Sequence, residues 1–375
     1  MDSSAQTQPK QILFAGYAPV HFLCFLPVYQ RLSADPRVEV WLTGGYRRKD
    51  QDDAGYVIDG FYDRFRVRPD RVIPFDQAYD GDFDVAICAH TSDTLLPRSA
   101  RRKVQIFHGV SFKNFAVREK VLRFDLLCLP GRYHAERFRD CGLVRPGGSR
   151  CLLTGFAKAD RLVEPGFQRE RFLQNLGVDP ALPTILYAPT GGKHNSLETV
   201  GRDVVAGIHS KVGWNLLIKP HDHPKNEIDW YAELGGFESE RVRLVRDLDV
   251  VDYLRAVDLL LTDASSVAVE YTLMDRPIVF IEVAKLLKNV LKRGAPLDLL
   301  TYGRKIGLLA KTADQVVPAI EQALRNPDRE QELRRSMARH VFHDPGNAAD
   351  RVSRVVLHAA GLLEELPADV EVLRP

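Results

Sequence analysis

Short, almost wholly apolar runs alternate with longer stretches of helical pattern over the first part of the chain. Each run has the composition of a buried strand, and the stretches between them repeat apolar residues at helical spacing. Strands that carry helices on both faces of their sheet are buried on both sides, so this alternation predicts a parallel, doubly wound sheet. The runs are QILFAG, VEVWLTGG, FDVAICAH, KVQIFHG and FDLLCLPG.

The same alternation starts again after a polar, proline-containing stretch at residues 164–183. The later runs are TILYAPTGG, WNLLIKPHDH, VRLVRD, DLLLTDASS and RPIVFIE. A chain of 375 residues also exceeds the usual size of one hydrophobic core. The pattern therefore predicts an α/β protein of two Rossmann-like, doubly wound domains with a cleft between them. We place them at residues 1–165 and 166–345, followed by a C-terminal helix at 346–375.

One apolar segment, residues 12–29, raises the question of a membrane span. Its prolines, its glycine and His21 would break a spanning helix, so we interpret it as a strand, a turn and the start of a helix. The five cysteines show no metal-binding spacing, which favours reduced thiols in a cytoplasmic protein. A net charge of +2 gives no reason to expect nucleic acid as a partner.

The stretch DVVDYLRAVDLLLTDASSVAVEYTLMDRPIVFIE, residues 249–282, carries the most informative chemistry. A buried strand ends at Asp263, and Ser265 and Ser266 then open a helix. The N–H groups and the positive dipole end of such a helix suit a phosphate. Glu270, one turn further on, suits ribose hydroxyls. The alternative is that Asp263 or Ser265 merely caps the helix and that Glu270 is solvated.

The run LLIKPHDH places Lys219 and His221 at the carboxyl end of a strand, where open α/β sheets bind ligands. The lysine supplies a positive charge, and His221 suits donation to a phosphoryl oxygen or acid catalysis. His221 and His223 also have the spacing of a metal-binding pair. A third ligand does not follow nearby, so a metal is not expected.

Two other strands end in loops of the same kind. KVQIF ends at His108, which is either a structural histidine or a catalytic one, and its position equivalent to His221 on a facing domain favours catalysis. YAPTGG leaves Thr190 and Gly191 in a turn that suits an anion. This turn matches neither a Walker A loop nor a dinucleotide fingerprint, which disfavours ATP and NAD. GYAPVHF is a similar turn, with His21 as a candidate for the acceptor site.

With these motifs in this order, residues 104–352 resemble the CDP-glycerol glycerophosphotransferase family, the teichoic-acid primases and polymerases. FHGVSFK is similar to that family's WHGTPLK, and His108, Gly109 and Lys113 match. ILYAPT, KPHD, TDASSVAVEY and DPGNAADRV are similar to further family motifs, with Glu270 where the family usually has aspartate. TGFAKADRL departs from the family's GYPRND. TDASSVAVEY is also similar to a motif of the UDP-N-acetylglucosamine 2-epimerases.

The resemblance implies a GT-B fold with an acceptor-binding first domain, a nucleotide-binding second domain and a last helix that crosses back to the first. It implies transfer of a polyol phosphate, of glycerol or ribitol, from a CDP-linked donor to a hydroxyl of a glycan or lipid-linked acceptor. CMP is released, and the product is a cell-surface polymer such as teichoic acid or capsule.

In this interpretation His108 is the general base, and Lys219 and His221 stabilise charge on the diphosphate and the departing CMP. The catalytic residues are thus His108 and His221. The donor-binding residues are Thr190, Gly191, Lys219, Asp263, Ser265, Ser266 and Glu270, and the acceptor-binding residues are His21 and Lys113. No cofactor and no metal ion are expected, because a helix dipole and cationic side chains can take the place of a metal.

Three other functions fit the same pattern. A GT-B nucleotide-sugar glycosyltransferase would use His108 as a base in an attack on a sugar carbon. A UDP-sugar 2-epimerase-like enzyme would need acidic catalytic groups that we do not identify. A polysaccharide-binding or scaffold subunit would keep the nucleotide pocket without turnover.

Contact with a membrane is a separate expectation. AKLLKNVLKR, residues 284–293, has an apolar stripe opposite a basic face, and RSARRK, residues 98–103, is a second basic cluster. Such segments suit an anionic membrane surface, which predicts a peripheral location at the inner face of the membrane. The alternative for residues 284–293 is an ordinary amphipathic helix packed on its own domain.

Overall fold

The computed structural model describes residues 8–44, 62, 65, 67–91, 96–147, 150–221, 228–292 and 297–374. The chain divides into two compact units. Unit 1 comprises Met1–His108, Ala116–Asp160 and Phe342–Pro375, and unit 2 comprises Gly109–Phe115 and Arg161–Val341. The sequence-based boundaries at 165 and 345 therefore differ from those at 160 and 341, and the segment 109–115 groups with unit 2 although it interrupts unit 1.

Unit 1 is built on one sheet. Numbered along the chain, its described strands are β1 (Lys10–Gly16), β2 (Val38–Gly44), β3 (Val72–Ile73), β4 (Val85–Cys88), β5 (Arg102–Gln105), β6 (Leu126–Leu129), β7 (Arg150–Leu153) and β14 (Glu371–Val372). Across the sheet the order is β14, β7, β6, β5, β4, β1, β2, β3. Every pairing is parallel except that of β14 with β7. The predicted parallel sheet is confirmed.

Helices cover this sheet. They are α1 (Pro19–Ser33), α2 (Phe75–Asp80), α3 (Arg132–Asp140) and α13 (Ala348–Ala359), and α4 (Ala157–Val163) spans the change from unit 1 to unit 2. The apolar segment at residues 12–29 is a strand followed by a helix, as predicted. The helix nevertheless continues through Pro27, which lies inside α1. Within the described residues, no helix combines the length and the hydropathy that crossing a membrane requires.

Two buried charges fasten α13 to the rest of unit 1. Asp160 accepts the backbone N–H groups of Gly346, Ala348 and Ala349 at 2.7, 3.1 and 2.7 Å, and so caps the start of this helix. Arg351, only 1 % exposed, donates to the carbonyl of Thr154 at 2.7 Å. TGFAKADRL and DPGNAADRV are therefore the two halves of one structural contact.

Unit 2 contains the second sheet. Its described strands are β8 (Thr184–Tyr187), β9 (Asn215–Ile218), β10 (Val242–Leu244), β11 (Leu259–Thr262), β12 (Ile278–Ile281) and β13 (Leu308–Ala310). All pairings are parallel, in the order β10, β9, β8, β11, β12, β13. The helices are α5 (Arg169–Asn175), α6 (Ser196–His209), α7 (Trp230–Leu234), α8 (Val251–Ala256), α9 (Val267–Tyr271), α10 (Ala284–Leu291), α11 (Val316–Arg325) and α12 (Gln331–Val341).

Helix α10 corresponds to the segment that suggested membrane contact. Leu286, Leu287 and Val290 are 5, 4 and 7 % exposed, whereas Leu291 is 54 % exposed. Most of the apolar stripe is therefore buried in the protein, which is the alternative that the sequence left open. Arg293, expected on the basic face, lies outside the described residues.

Candidate functional site

The order of strands in unit 2 identifies the edge at which a ligand should bind. From β8 the chain proceeds to β9 and β10 on one side, and it then returns to β11 on the other side of β8. Open α/β sheets bind ligands outside the carboxyl ends of the strands at such a switch point. The loops after β8 and β11 meet there, and they carry most of the residues predicted to bind the donor.

Asp263, the first residue after β11, organises the loop after β8. One of its carboxylate oxygens accepts the backbone N–H of Thr190 at 2.8 Å and that of Ala264, and the other accepts the N–H of Ser196 at 2.8 Å. Its side chain is completely buried. Asp263 therefore holds the loop between β8 and α6 in shape. Backbone N–H groups bond to both oxygens, so Asp263 has a structural role, and its contact with the donor stays a prediction.

The segment Gly109–Phe115 lies against the same loop. The ammonium group of Lys113 donates to the hydroxyl of Thr190 at 2.8 Å. A Cβ atom added to Gly109 would lie 3.6 Å from the hydroxyl oxygen of Ser266. Lys113, assigned to the acceptor by resemblance, thus lies among the residues predicted to bind the donor, and its positive charge is placed beside them.

Two further predicted residues follow β9. Lys219 is 7 % exposed and its ammonium group donates to the carbonyl of Asp247, so part of its hydrogen-bonding capacity serves the fold. His221 is exposed and lies directly against Gly191: a Cβ atom on that glycine would come within 2.8 Å of the Nδ1 of His221. The absence of a side chain at Gly191 lets the imidazole approach the loop after β8.

The helix that follows the loop after β11 is too short for the phosphate-binding role predicted for its N-terminus. Ser265 is 8 % exposed and Ser266 precedes α9, but α9 contains only five residues. So short a helix has few aligned peptide dipoles, and the helix-dipole argument for a phosphate at Ser265 and Ser266 loses its basis. Glu270 is 1 % exposed, so the alternative that it is solvated is wrong.

Unit 1 has its own switch point, between β1 and β4, and three histidines gather there. His21 follows β1, His90 follows β4 and His108 follows β5. The ring centroids lie 4.9 Å apart for His21 and His108, 5.6 Å for His21 and His90, and 6.2 Å for His90 and His108. Tyr17 packs edge-on against His21 and His90. Sequence reasoning missed His90, although it stands at a strand end just as His108 does.

Hydrogen bonds set the tautomers of two of these rings. The Nδ1 of His108 lies 2.7 Å from the carbonyl oxygen of Ala89. A carbonyl only accepts, so this nitrogen carries the proton and Nε2 carries the lone pair of the neutral ring. The backbone N–H of Tyr17 donates to the Nδ1 of His21 at 3.3 Å, which puts the proton of neutral His21 on Nε2.

The surroundings keep both rings neutral. Desolvation lowers the pKa of His108, and the charge of Lys158 lowers it further, against the opposing effect of the Ala89 carbonyl. The residue as a whole is exposed. Burial lowers the pKa of His21 well below its ordinary value, with smaller contributions from His108 and His90. His21 is 2 % exposed, which leaves little surface for the acceptor role suggested by the sequence.

The structure thus collects the predicted residues in two places. Unit 2 carries Lys113, Thr190, Gly191, Lys219, His221, Asp263, Ser265, Ser266 and Glu270, and unit 1 carries His21 and His108. In the described part of the chain, no group of three or more His, Cys, Asp or Glu side chains is placed to hold a metal ion. His223, the second member of the considered metal pair, lies outside the described residues.

Comparisons with known proteins agree with this architecture. A family model described as CDP-Glycerol:Poly(glycerophosphate) glycerophosphotransferase matches residues 88–358. The teichoic acid poly(glycerol phosphate) polymerase of Staphylococcus epidermidis is 25 % identical over 235 residues, 54 % of this chain. The chain spans only 32 % of the length of that curated relative.

Solved structures resemble nearly the whole chain. The wall teichoic acid polymerase TagF with CDPG has a TM-score of 0.68 at 18 % identity, over 95 % of this chain and 90 % of that chain. MnaA of S. aureus with UDP has a TM-score of 0.64 at 16 % identity, over 96 % and 100 %. At such identities the likeness shows the fold, and it confirms the predicted GT-B-like class with two Rossmann-like domains.

Proposed function

The chain belongs to the CDP-glycerol:poly(glycerophosphate) glycerophosphotransferase family, and we propose that it transfers a polyol phosphate from a CDP-linked donor to an acceptor hydroxyl. CMP is the leaving group, and the acceptor is a glycan or a lipid-linked saccharide in the synthesis of a cell-surface polymer. CDP-glycerol is the first donor to test, with CDP-ribitol next. The fixed tautomer of His108 is the observation that carries this proposal.

The acceptor hydroxyl must lose a proton as its oxygen attacks phosphorus. His108 suits this step because Nδ1–H is held by the Ala89 carbonyl and the lone pair is on Nε2. Its lowered pKa keeps the ring neutral and able to take the proton near neutral pH. The oxygen forms its bond to the phosphorus that carries the polyol, and the proton passes to Nε2.

On the donor side, negative charge builds up on the diphosphate and on the departing CMP. The bond between the transferred phosphorus and the bridging oxygen breaks, and CMP keeps the electron pair. Lys113, beside Thr190, places a permanent positive charge at this site. His221, packed on Gly191, supplies a ring N–H to the leaving phosphate.

We propose further that the reaction needs no metal ion. Phosphoryl transfer proceeds through positioning and electrostatic stabilisation, and cationic side chains can neutralise a diphosphate. Lys113 and His221 are candidates for that role. Activity in the presence of EDTA should therefore equal activity without it, and a loss that added Mg²⁺ restores would contradict this part of the proposal.

CMP release by the purified protein tests the proposed function directly. The assay offers CDP-glycerol or CDP-ribitol together with glycan or lipid-linked acceptors, and compares wild type with His108→Ala and His221→Ala. His209→Gln is the matched control, because His209 lies on α6 and packs on Phe237. We expect acceptor-dependent CMP release that falls about 100-fold or more in both site variants and is retained in the control.

Turnover of a UDP- or GDP-sugar without turnover of either CDP donor would make the protein a glycosyltransferase. Nucleotide binding without any turnover, unchanged in His108→Ala, would indicate a binding subunit. Either result would overturn the proposed reaction while leaving the fold as described.

A peripheral location at the inner face of the membrane stays a prediction. Of the two segments that suggested it, α10 buries most of its apolar stripe. In the basic cluster at residues 98–103, three arginines each lie within 4.0 Å of an aspartate, which reduces the free positive charge. Flotation with anionic vesicles at low and high salt tests the prediction, and absence of binding at both would end it.

A further inference from the structure

Arg304 is a buried charge that the proposed mechanism has not used. It lies in the short 3-10 helix Gly303–Ile306 and is 8 % exposed. Its Nη1 donates to both carboxylate oxygens of Glu282, each at 3.0 Å. Its Nε and Nη2 atoms are buried and have no hydrogen-bond partner among the residues that the structure describes. Buried guanidinium donors normally have partners, so two nitrogens without an acceptor require an explanation.

Arg304 lies at the edge of the sheet that carries the candidate donor site. Its partner Glu282 follows β12 directly. The register that pairs Thr262 with Phe280 brings Glu282 to the level of Ala264, the residue before Ser265. Glu282 is thus at the carboxyl edge, one strand away from the loop after β11.

The chain around Arg304 also packs on the segment that holds Lys113. The backbone N–H of Asp298 donates to the carbonyl of Phe112 at 3.0 Å. A Cβ atom on Gly303 would lie 2.5 Å from the ring of Phe112, so the two residues are in tight contact. Arg304 is the residue after Gly303, and Lys113 is the residue after Phe112. Lys113 in turn donates to the hydroxyl of Thr190. The contact therefore connects Arg304 to the loop after β8.

Arg334 provides an internal comparison. It is 1 % exposed, and its Nε and Nη1 atoms also have no hydrogen-bond partner among the described residues. Its guanidinium lies beside Asp275, 3.4 Å from a carboxylate oxygen, and Asp275 precedes β12. The two arginines therefore sit at opposite ends of β12, and only Arg304 is at the end where such sheets bind ligands.

We propose that Arg304 binds the diphosphate of the nucleotide donor through its Nε–H and Nη2–H groups. These two groups form the fork that pairs with two oxygens of a phosphate. Glu282 positions the guanidinium by accepting hydrogen bonds from Nη1. The assignment rests on the proposed function for the identity of the donor, but its chemistry requires only a nucleoside diphosphate group.

Titration calorimetry with CDP, UDP and cytidine tests the assignment. Arg304→Lys keeps a positive charge for Glu282 but cannot form the fork, so its affinity for the diphosphate that wild type binds should fall about 10- to 100-fold. Its affinity for cytidine should stay as in wild type. Arg334→Lys, the matched control, should bind both ligands within about twofold of wild type. Equal diphosphate binding by Arg304→Lys and wild type would overturn the assignment.

The same variants separate the assignment from the proposed function. If wild type turns over CDP-glycerol and Arg304→Lys does so with unchanged kcat/KM and CDP affinity, only the assignment fails. If wild type turns over no CDP donor but binds UDP, and Arg304→Lys binds UDP more weakly, only the proposed function fails.

A second variant guards against misfolding. Arg304→Met combined with Glu282→Gln removes both charges together and leaves no isolated buried carboxylate. Its thermal unfolding without ligand should stay close to that of wild type, and the stabilisation by saturating diphosphate should be lost. A folded double variant that diphosphate still stabilises as it does wild type would overturn the assignment.

Discussion

The contact between Gly191 and His221 leads to a prediction that isolates the role of one imidazole. Gly191 does not have the positive φ of its neighbour Gly192, so its backbone accepts an alanine. The three heavy atoms nearest to an added Cβ all belong to His221. A Cβ atom would lie 2.8 Å from Nδ1 and 3.1 Å from Cγ and Cε1. Gly191→Ala therefore displaces the imidazole without removing it.

The size of the displacement follows from the distances. An ordinary contact begins at 3.4 Å, so the ring must retreat by at least about 0.6 Å, the difference between 3.4 and 2.8 Å. The backbone that leads to His221 cannot easily move with the ring, because the N–H of Lys219, two residues earlier, donates to the carbonyl of Tyr187 at 2.9 Å. A misplacement near 1 Å at a reacting centre reduces rates about 100-fold. We therefore expect Gly191→Ala to lower kcat/KM about 10- to 100-fold.

A double-mutant cycle checks the physical reason. CMP release is measured for wild type, Gly191→Ala, His221→Ala and the double variant. If the alanine acts only through the imidazole, it should change kcat/KM less than about threefold once His221 is absent. Gly207→Ala, on the helix α6, is the control; its Cβ would meet only Val317 at 3.6 Å, and activity should be unchanged. Full additivity of the two site substitutions would refute the reasoning.

Two further predictions concern unit 1. Desolvation and the charge of Lys158 lower the pKa of His108, so kcat/KM should rise with increasing pH and reach half its maximum below pH 6.5. Lys158→Met removes a positive charge and should move that midpoint to higher pH. A midpoint that stays in place in the pH–rate profile would contradict the assigned base or its electrostatics. Asp160→Ala leaves three backbone N–H groups without their acceptor and should lower the free energy of unfolding by about 2 kcal/mol. Urea denaturation measures this, and Asp140→Ala, whose carboxylate is 57 % exposed and pairs with Arg137, should change it by less than about 0.5 kcal/mol. Equal effects of the two substitutions would rule out the capping role of Asp160.

The hydrophobic pattern was sufficient to locate the loops that carry most residues of the candidate donor site. Buried parallel strands are marked by continuous apolar runs, and the polar residues that end them fall at one edge of the sheet. Thr190, His221 and Ser265 were found in this way, and the structure places all three in unit 2. Local sequence specifies these positions because each follows its strand within a few residues.

The hydrophobic pattern could not predict contacts between segments that are distant in the sequence. Lys113 falls within the first of the two domains predicted from the sequence, yet the structure groups it with unit 2, where it donates to Thr190, 77 residues away. Asp263 was predicted to bind the donor, and the structure adds hydrogen bonds from the backbone of another loop that the sequence did not indicate. Arg304 stands in TYGRKIG, where no motif marks it, and only its burial and its open N–H groups distinguish it. Tertiary packing decides such roles.

The extent of α9 shows the same limit on a smaller scale. The apolar pattern after Ser266 continues to Met274 and does not mark where the helix ends. The α-helical hydrogen bonds instead stop at Tyr271, a 3-10 turn follows, and Asp275 adopts a left-handed conformation with φ of 51°. Thr272 donates its hydroxyl to the carbonyl of Val269, a local bond that competes with helix continuation.

The hydrogen bond from Arg351 to the carbonyl of Thr154 has a consequence for synthesis on the ribosome. The two residues are 197 positions apart, and all of the second unit after Arg161 is translated between them. While that stretch emerges, the carboxylate of Asp160 and the carbonyl of Thr154 lack their hydrogen-bond donors, because residues 346–351 have not yet been translated. Unit 1 can therefore acquire its final stability only after the sheet of unit 2 has left the exit tunnel. A premature stop codon before Ala348 would release a nascent chain whose first unit is unfinished, and quality-control proteases should remove it.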